Sequence, residues 1–256
     1  MDLSQITPLI LTFNESANIA RTLEPLQWAQ QIVLLDSRSS DDTVVIACHF
    51  PNVAVHERRF ESHSAQWNYG IGMVRTDWIL AFDADYATNE EFKAELEKLT
   101  VLPGTNAFYA RFIYCVLGQP LRASLYPPRA VLFRRQCARY VQDGHTQLLQ
   151  FEGQAGRLRT PIRHDDRKPL LQWLEAQDRY ARLEVEKLYS NGATGFRDKI
   201  RKWIIAAPLL TLFYCLFCKA LALDGQPGWY YAFQRTVAEL ILSMRLIEQR
   251  LQGKSR

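Results

Sequence analysis

The sequence predicts an α/β fold with a mainly parallel sheet, on the basis of two features of its first hundred residues. Segments typical of strands, at residues 6–13, 31–36, 52–56 and 78–83, alternate with segments typical of helices, at 16–26, 39–48 and 62–74. Such alternation indicates βαβ units. Three of these strands end on polar groups, at Asn14-Glu15, Asp36-Ser37 and Asp83-Ala84-Asp85. Because ligands bind outside the carboxyl ends of strands in such sheets, we expect these groups to form one site.

The rest of the chain is less regular. With 256 residues, 48% apolar and 23% charged, it has the composition of one large folded domain, alone or with a small appendage. We expect strands at 107–114 and 130–133, a strand or hairpin at 153–163 that leads into His164, and an amphipathic helix at 169–191. The predicted domains are residues 1–195 and a helical tail, residues 196–256.

The tail is both basic and apolar. From Arg197 onward it holds ten Lys/Arg against four Asp/Glu. Residues 203–218 are sixteen uncharged residues, fewer than the roughly 20 that cross a bilayer. We expect this segment and residues 229–247 to be helices in the interface of an anionic membrane, with no nucleic-acid partner. The alternative is a buried helical hairpin that closes the core.

Cysteine usage and the N-terminus bear on location. The five cysteines are scattered and do not resemble a secreted disulfide framework. The first residues lack the basic and apolar regions of a signal peptide. We therefore expect a cytoplasmic protein, peripheral or monotopic at the inner leaflet of the cell membrane.

Asp83 and Asp85 have the spacing of a shared cation site. Residues i and i+2 of an extended segment point the same way, so both carboxylates can bind one Mg²⁺ or Mn²⁺ ion. Such an ion keeps open positions for the oxygens of a diphosphate. Solvated acidic loops also match this short pattern, and the buried strand before it, with two other polar strand ends, favours the metal interpretation.

Three segments carry a family resemblance: L-T-F-N-E-S-A-N-I, V-L-L-D-S-R-S-S-D-D-T and W-N-Y-G-I-G-M-V-R-T-D-W-I-L-A-F-D-A-D. They resemble family 2 glycosyltransferases of the GT-A fold and, within them, the lipopolysaccharide-core β-glucosyltransferase group. That group has an Asp-Gly-rich hinge in a membrane-associating tail, which residues 223–228 match. The resemblance covers most of the chain and is most specific across residues 7–85.

The resemblance implies roles for individual residues. Contacts to the nucleotide are implied for Thr12, Asn14, Glu15, Asp36 and Asn68, metal binding for Asp83 and Asp85, and an approach to the metal or diphosphate for His164. Asp41 and Thr43 match the residues that open the helix after the second strand. Phe13, Trp67 and Tyr86 stand where the family commonly has Tyr, Lys or Arg, and Glu, which leaves the donor open, with a UDP-sugar favoured. Asp36 and Asp41 as helix caps, and His164 as a structural residue, are the alternatives.

Two further candidates concern charge and proton transfer. Arg129 is a candidate to offer charge to the donor diphosphate or to a phosphorylated acceptor. An inverting transfer needs a general base, which in the resembling group is an acidic residue after the strand that matches residues 130–133. Here Asp143 is the first choice and His145 the second, because Thr146 occupies the usual Glu position. A turn built on Asp143-Gly144 is the alternative for Asp143.

These features predict an inverting, metal-dependent glycosyltransferase. It would move a sugar from a nucleotide-diphosphate donor to a lipid-linked, lipopolysaccharide-type or other cell-envelope glycan acceptor. A polyprenyl-phosphate glycosyltransferase and a non-catalytic membrane-docking protein are the alternatives. A nucleotidyltransferase is disfavoured because residues 9–15 contain neither the glycine nor the basic residue expected of its triphosphate-binding loop.

Overall fold

The computed structural model of the protein describes residues 1–143, 146–190 and 203–253. Its strands are β1 Ile6–Thr12, β2 Ile32–Asp36, β3 Val53–Glu57, β4 Trp78–Asp83, β5 Tyr86–Ala87, β6 Thr105–Ala110, β7 Phe112–Val116, β8 Gln119–Pro120, β9 Arg129–Arg134, β10 Ala138–Asp143, β11 Thr146–Phe151, β12 Gln154–Arg157 and β13 Ile162–His164. Its α-helices are α1 Ile19–Leu23, α2 Thr43–Ala47, α3 His63–Met73, α4 Glu90–Lys98, α5 Leu170–Ser190, α6 Ala206–Phe213 and α7 Gly225–Gly253. The chain divides into two compact units: a sheet unit of 1–118, 125–142 and 147–167, and a helical unit of 119–124, 143–146 and 168–256.

The main sheet has seven strands in the order β12-β6-β9-β4-β1-β2-β3. The four strands predicted from the first hundred residues are present and parallel, which confirms the α/β prediction. The sheet is mainly parallel, as expected, and it is mixed only because β9 runs antiparallel to both β4 and β6. A local sequence pattern marks a strand but does not fix the direction in which a distant strand joins it.

Apolar side chains fill both faces of this sheet, as the near-continuous apolar runs of β1, β2 and β4 require. One buried cluster includes Ile10, Leu34 and Phe82, and the cluster on the other face includes Leu9 and Ile79. Neighbouring residues of each strand thus enter opposite clusters, as the pleat of a strand dictates. Helices α1 and α4 contribute to the first cluster and α3 to the second.

The order of the strands creates a crevice at one edge. Strand β1 pairs with β2 on one side and with β4 on the other. The chain adds β2 and β3 on one side of β1 and then crosses to add β4 on the other side, so the strand order reverses at β1. Such reversal points are where open α/β sheets bind ligands. The register places Thr12 beside Asp36 and Leu11 beside Asp83. The three polar strand ends therefore reach the same edge of the sheet.

A smaller sheet brings His164 to this edge. Strand β13 is antiparallel to β5 and parallel to β7, and its register pairs His164 with Tyr86. The segment predicted as one strand at 107–114 is two strands, β6 and β7, in different sheets. Likewise, 153–163 covers β12 and the start of β13. Helix α4 and the β10–β11 hairpin are further elements that the sequence analysis did not predict.

In the helical unit, α5 packs on α7. Ala181, Val185 and Leu188 form a buried cluster with Leu242 and Leu246. The predicted helices at 169–191, 203–218 and 229–247 correspond to α5, α6 with a π-helical turn at 214–218, and α7. The predicted domain boundary after residue 195 lies outside the described residues and stays a prediction.

A tight hinge separates α6 from α7. Gly225 has a φ of 64°, a left-handed conformation that favours glycine. At Gly228, a Cβ atom would lie 1.9 Å from the carbonyl oxygen of Leu221, so only glycine fits there. Within the described part of the chain, no single helix has the length and apolarity to cross a membrane. Only the pair 206–218 and 221–252, bent by 67°, meets those criteria together.

Candidate active site

The loops after β1 and β2 are joined by hydrogen bonds. Asn14 has a φ of 53°, and its backbone N–H donates to the Ser39 hydroxyl at 2.8 Å. Its side-chain oxygen accepts from the Ser40 N–H at 2.8 Å. The Glu15 N–H donates to the Thr43 hydroxyl at 2.7 Å. The loop predicted to contact the nucleotide therefore has a fixed backbone.

Asp36 and Asp41 stabilise the second of these loops. Asp36 is buried and accepts from both the N–H and the hydroxyl of Ser39, at 2.8 and 2.6 Å. Asp41 accepts from the N–H groups of Ser16 and Thr43 and from the Thr43 hydroxyl. Burial alone would raise the pKa of Asp41, but these hydrogen bonds lower it below its ordinary value. Asp36 closes a turn, and Asp41 joins the loop after β1 to the residues before α2, whose N-cap is Asp42, so the alternative that Asp41 caps the helix is wrong.

Thr12 and Asn68, also predicted to contact the nucleotide, differ in their surroundings. The Thr12 hydroxyl is buried and has no hydrogen-bond partner within the described residues. The Asn68 amide is satisfied by the backbone of Tyr140, donating to its carbonyl at 2.9 Å and accepting from its N–H at 2.8 Å. Trp67 stacks on the Tyr140 ring with centroids 5.1 Å apart. Asn68 thus attaches β10 to α3, and its predicted contact with the nucleotide stays a prediction.

Asp85 and His164 meet at the carboxyl end of β4. His164 Nε2 lies 3.0 Å from Asp85 Oδ2, and the two side chains are only 13% and 12% exposed. Burial alone would lower the pKa of His164, but the charge and hydrogen bond of Asp85, with the charge of Asp83, raise it. The tertiary structure therefore brings two of the three residues predicted to bind metal, Asp85 and His164, into contact, and the charge of Asp83 acts on the same histidine.

Aromatic rings enclose this pair. The ring centroids of Tyr126, Tyr114 and Tyr86 lie 4.5, 4.7 and 5.5 Å from that of His164. The hydroxyl groups of Tyr86 and Tyr126 are hydrogen-bonded to each other. In sequence, Tyr86 is marked only as a departure from the family pattern, and no local spacing links Tyr114 or Tyr126 to His164.

Arg129 belongs to the same cluster. Its guanidinium carbon lies 4.8 Å from the centroid of the Tyr126 ring. Burial alone would lower the pKa of Arg129, but Tyr126, Tyr86 and Asp83 raise it, so the side chain keeps its positive charge. The structure thus places the predicted cation near the predicted metal-binding carboxylates.

The residues at this edge fit a hard divalent cation. Among the described residues, no three His, Cys, Asp or Glu side chains are already arranged around a common point. Mg²⁺ and similar ions, however, are commonly held by one or two carboxylates together with water and substrate phosphates. Asp83 and Asp85 supply carboxylates of this kind, whereas His164 Nε2 is hydrogen-bonded to Asp85 Oδ2 at 3.0 Å and would bind an ion only after giving up that contact.

The predicted general bases are located only in part. Asp143 is the last residue of β10, and its side chain lies outside what the structure describes. His145 lies outside the described residues. The choice between them therefore stays a prediction.

Comparison with known proteins identifies the family. Residues 9–142, about half of the chain, match the family model described as glycosyl transferase family 2. The chain belongs to this family. The matched region contains most of the predicted site residues, whereas Asp143, His145 and His164 lie beyond it.

Similarity to individual curated proteins is confined to part of the chain. The glycosyltransferase SunS of Bacillus subtilis is 35% identical over 101 residues, which are 38% of this chain and 24% of SunS. An uncharacterized glycosyltransferase of Rickettsia felis is 31% identical over 96 residues, which are 37% of this chain and 34% of that protein. The chain thus matches about a third or less of the length of these relatives.

Solved structures confirm the fold. The S. aureus TarS 1–349 complex with UDP-GlcNAc superposes with a TM-score of 0.51, at 11% identity over 95% of this chain and 91% of that chain. A mannosyltransferase of Pyrobaculum calidifontis in complex with GDP-Man and Mn²⁺ superposes with a TM-score of 0.55, at 12% identity over 95% and 87%. The protein has a GT-A-like α/β fold with a central mixed sheet and a C-terminal helix, as the resemblance predicted.

Proposed function

We propose that this protein is an inverting glycosyltransferase that moves a sugar from a nucleoside-diphosphate donor to a lipid-linked or cell-envelope glycan acceptor. The observation that carries the proposal is the Asp85–His164 contact, under the charge of Asp83, at the sheet edge that the loops after β1 and β2 also reach, in a chain of family 2. A nucleotide along those loops would direct its diphosphate toward the carboxylates, because all three strand ends share one edge.

The donor is proposed to be a UDP-sugar, with GDP-sugars tested beside it. TarS was solved with UDP-GlcNAc and the P. calidifontis mannosyltransferase with GDP-Man. In this chain, Thr12, Asn14, Glu15, Asp36 and Asn68 are the proposed nucleotide contacts. The Thr12 hydroxyl supports this assignment, since a buried polar atom without a partner costs free energy that a ligand can restore.

Asp83, Asp85 and His164 are proposed to hold Mg²⁺ or Mn²⁺. Such an ion, when bound, neutralises the negative charge that develops on the departing nucleoside diphosphate. Arg129 supplies further positive charge at the same edge, because a guanidinium stays protonated at any physiological pH. The aromatic rings around His164 limit the access of water, which strengthens electrostatic interactions at this position.

Asp143 is proposed to accept the proton of the acceptor hydroxyl. Asp143 ends strand β10, which is attached to α3 by the hydrogen bonds between Asn68 and Tyr140. The proposal rests on the family resemblance, in which the base follows the strand that matches residues 130–133, and His145 is the second candidate.

The acceptor is proposed to be attached to a lipid, of the lipopolysaccharide type, with polyprenyl phosphate as the alternative. Between Trp203 and Gly253, fifteen large apolar side chains are exposed, among them Ile205 at 82% and Phe217 at 64%. Exposed apolar surface of this extent marks an interaction site, and the basic residues before it favour an anionic membrane. Docking on the inner leaflet would concentrate a lipid-linked substrate near the enzyme.

Release of nucleoside diphosphate tests the proposal. Purified protein in detergent with a lipid-linked acceptor extract, Mn²⁺ and UDP- or GDP-sugars is expected to release UDP or GDP. Excess EDTA is expected to stop the release. Binding to anionic vesicles without any nucleotide-sugar binding or turnover would favour the non-catalytic membrane-docking protein.

A further inference from the structure

Helix α1 presents three polar side chains on one side. Asn18, at its N-terminal end, is followed by Arg21 and Thr22, so the three residues have the i, i+3, i+4 spacing of a single helix face. Asn18 and Thr22 are each only 1% exposed. We call Asn18, Arg21 and Thr22 the polar face of α1. Buried polar side chains need hydrogen-bond partners. Asn18 and Thr22, together with the partly exposed Arg21, have such partners near the Asp85–His164 pair.

Thr22 contacts the segment between the two predicted metal-binding carboxylates. Its hydroxyl donates to the carbonyl oxygen of Ala84 at 2.7 Å, and this hydrogen bond is buried. Ala84 is flanked by Asp83 and Asp85, so the bond fixes the backbone that carries both carboxylates. It links residues 62 positions apart in sequence.

Arg21 contacts the residue that follows His164. Its guanidinium forms an ion pair with Asp165 Oδ2 at 2.8 Å and donates to the Asp165 carbonyl oxygen at 3.0 Å. The Asp165 N–H donates to the carbonyl oxygen of Asp85 at 3.1 Å. Asp165, with a side chain 6% exposed, is thus held on both sides of its backbone next to the Asp85–His164 pair.

Asn18 joins these contacts to the loop after β1. Its amide nitrogen donates to Glu15 Oε2 at 2.7 Å and to Asp166 Oδ1 at 3.0 Å. Its oxygen accepts from Arg21 at 2.6 Å and from the Arg167 N–H at 2.9 Å. These four hydrogen bonds use the full capacity of an asparagine amide. The predicted nucleotide loop and the segment after His164 are therefore connected through one side chain.

We propose that the polar face of α1 positions Asp85 and His164 for the divalent cation, so that Asn18, Arg21 and Thr22 are positioning residues that touch neither substrate nor metal. This inference rests on the proposed function, because it concerns the same site. Residues that orient metal ligands through hydrogen bonds typically change metal affinity or activity about 10- to 100-fold when they are removed. The family resemblance and the strand-end pattern assigned no role to these three residues, although Asn18 lies in one of the segments that carry the resemblance.

The test measures the Mn²⁺ concentration that half-saturates UDP binding, with the full chain in detergent. Thr22→Val removes the hydroxyl while keeping the shape, and Arg21→Gln leaves Asp165 paired with Arg167 and the Gly118 N–H. We expect each variant to raise the half-saturating Mn²⁺ concentration about tenfold. Thr22→Ser, which keeps the hydroxyl, should restore the wild-type value. Arg182→Gln, which removes an exposed ion pair with Asp178 in α5, is the matched control.

A second readout needs no metal. The ring nitrogen signals of the five histidines are recorded by NMR in metal-free protein, and His164→Gln assigns the signal of His164. We expect Thr22→Val and Arg21→Gln to shift the His164 signal and leave the other four in place, while the unfolding temperature reports general destabilisation.

Wild-type values of both the Mn²⁺ dependence and the His164 signal in these two variants would overturn the inference and leave the proposed function standing. Wild-type protein that binds no UDP, or binds it independently of Mn²⁺, would instead contradict the proposed function itself. That result is seen before any variant is made.

Discussion

The sheet unit and the tail segment 203–253 have similar apolar runs in sequence but expose them very differently. Among the described residues, the sheet unit exposes seven large apolar side chains, whereas the much shorter segment 203–253 exposes fifteen. In the sheet unit, strands such as β2 are buried along their whole length. Apolar composition alone therefore does not distinguish a core from an interaction surface. Apolar side chains become part of a core only where another element of the folded chain packs over them.

The two regions also differ in how they use polar groups. At the sheet edge, side chains such as Asp36, Asn18 and Asp165 each make several hydrogen bonds that hold a loop or a neighbouring segment. In the helical unit, polar contacts such as the Arg245–Asp178 ion pair at 2.6 Å join one helix to another. This contrast separates a preorganised chemical site from a surface whose exposed apolar side chains we assign to the membrane.

The largest expected effect is at the sheet edge. Asp85→Ala should lower nucleotide-sugar turnover by about a hundredfold or more, because it removes a proposed metal ligand and the hydrogen-bond partner of His164. Steady-state release of UDP measures it. Asp77→Ala, at the opposite end of β4, is the matched control and should leave turnover near the wild-type value. Equal activity of the two variants would remove Asp85 from the site.

The Asp143→Asn variant tests whether Asp143, and not His145, is the general base. Turnover should fall about a hundredfold, while donor affinity stays within about twofold, because a general base acts on the acceptor. Turnover and UDP-sugar binding, measured separately, check this. His145→Ala is the comparison variant, and a loss confined to it would transfer the role to His145.

Charged substitutions on the exposed apolar surface of the tail should weaken its binding to membranes. Phe213 and Phe217 are 57% and 64% exposed, so replacing both by Asp should leave the fold intact. Because burying a Phe side chain contributes about 1.5–3 kcal/mol, binding to anionic vesicles should weaken more than tenfold. Vesicle co-sedimentation measures this, with Phe60→Asp in the sheet unit as control. High salt alone should release only part of the wild-type protein, since salt screens charge but not apolar burial.

The smallest expected effect concerns stability. The pKa of Asp41 is lowered from its ordinary value of 3.8 in the folded protein, so its stabilising contribution is present above that value and is lost as pH falls below it. Asp41→Asn should lower the free energy of unfolding by about 1 kcal/mol at pH 7. The difference from wild type should shrink below about pH 4. Urea unfolding at pH 7 and pH 3 measures both, and an unchanged difference at pH 3 would show that the charge of Asp41 is not responsible.

Much of the sheet edge followed from local sequence patterns. Alternating apolar runs predicted β1 to β4, and the polar residues after them predicted where the site would form. Local patterns did not show that residues 107–114 contain parts of two strands, β6 and β7, in different sheets, because both strands have the same local composition. They also missed α4, although Phe92 and Leu96 have the spacing of one buried helix face.

By itself, the sequence determined the strands of the parallel part of the sheet, the polar groups at their ends and the basic, apolar character of the tail. Each of these properties depends on residues within a few positions of one another. Only the tertiary structure decided that Asp85 meets His164, that Tyr126 and Arg129 join them, and that α1 holds the segments that carry them. Two of these contacts, Asp85–His164 and Arg21–Asp165, join residues that are 79 and 144 positions apart in sequence. Such pairs form because strand order and register bring distant segments to one edge, which no local pattern specifies.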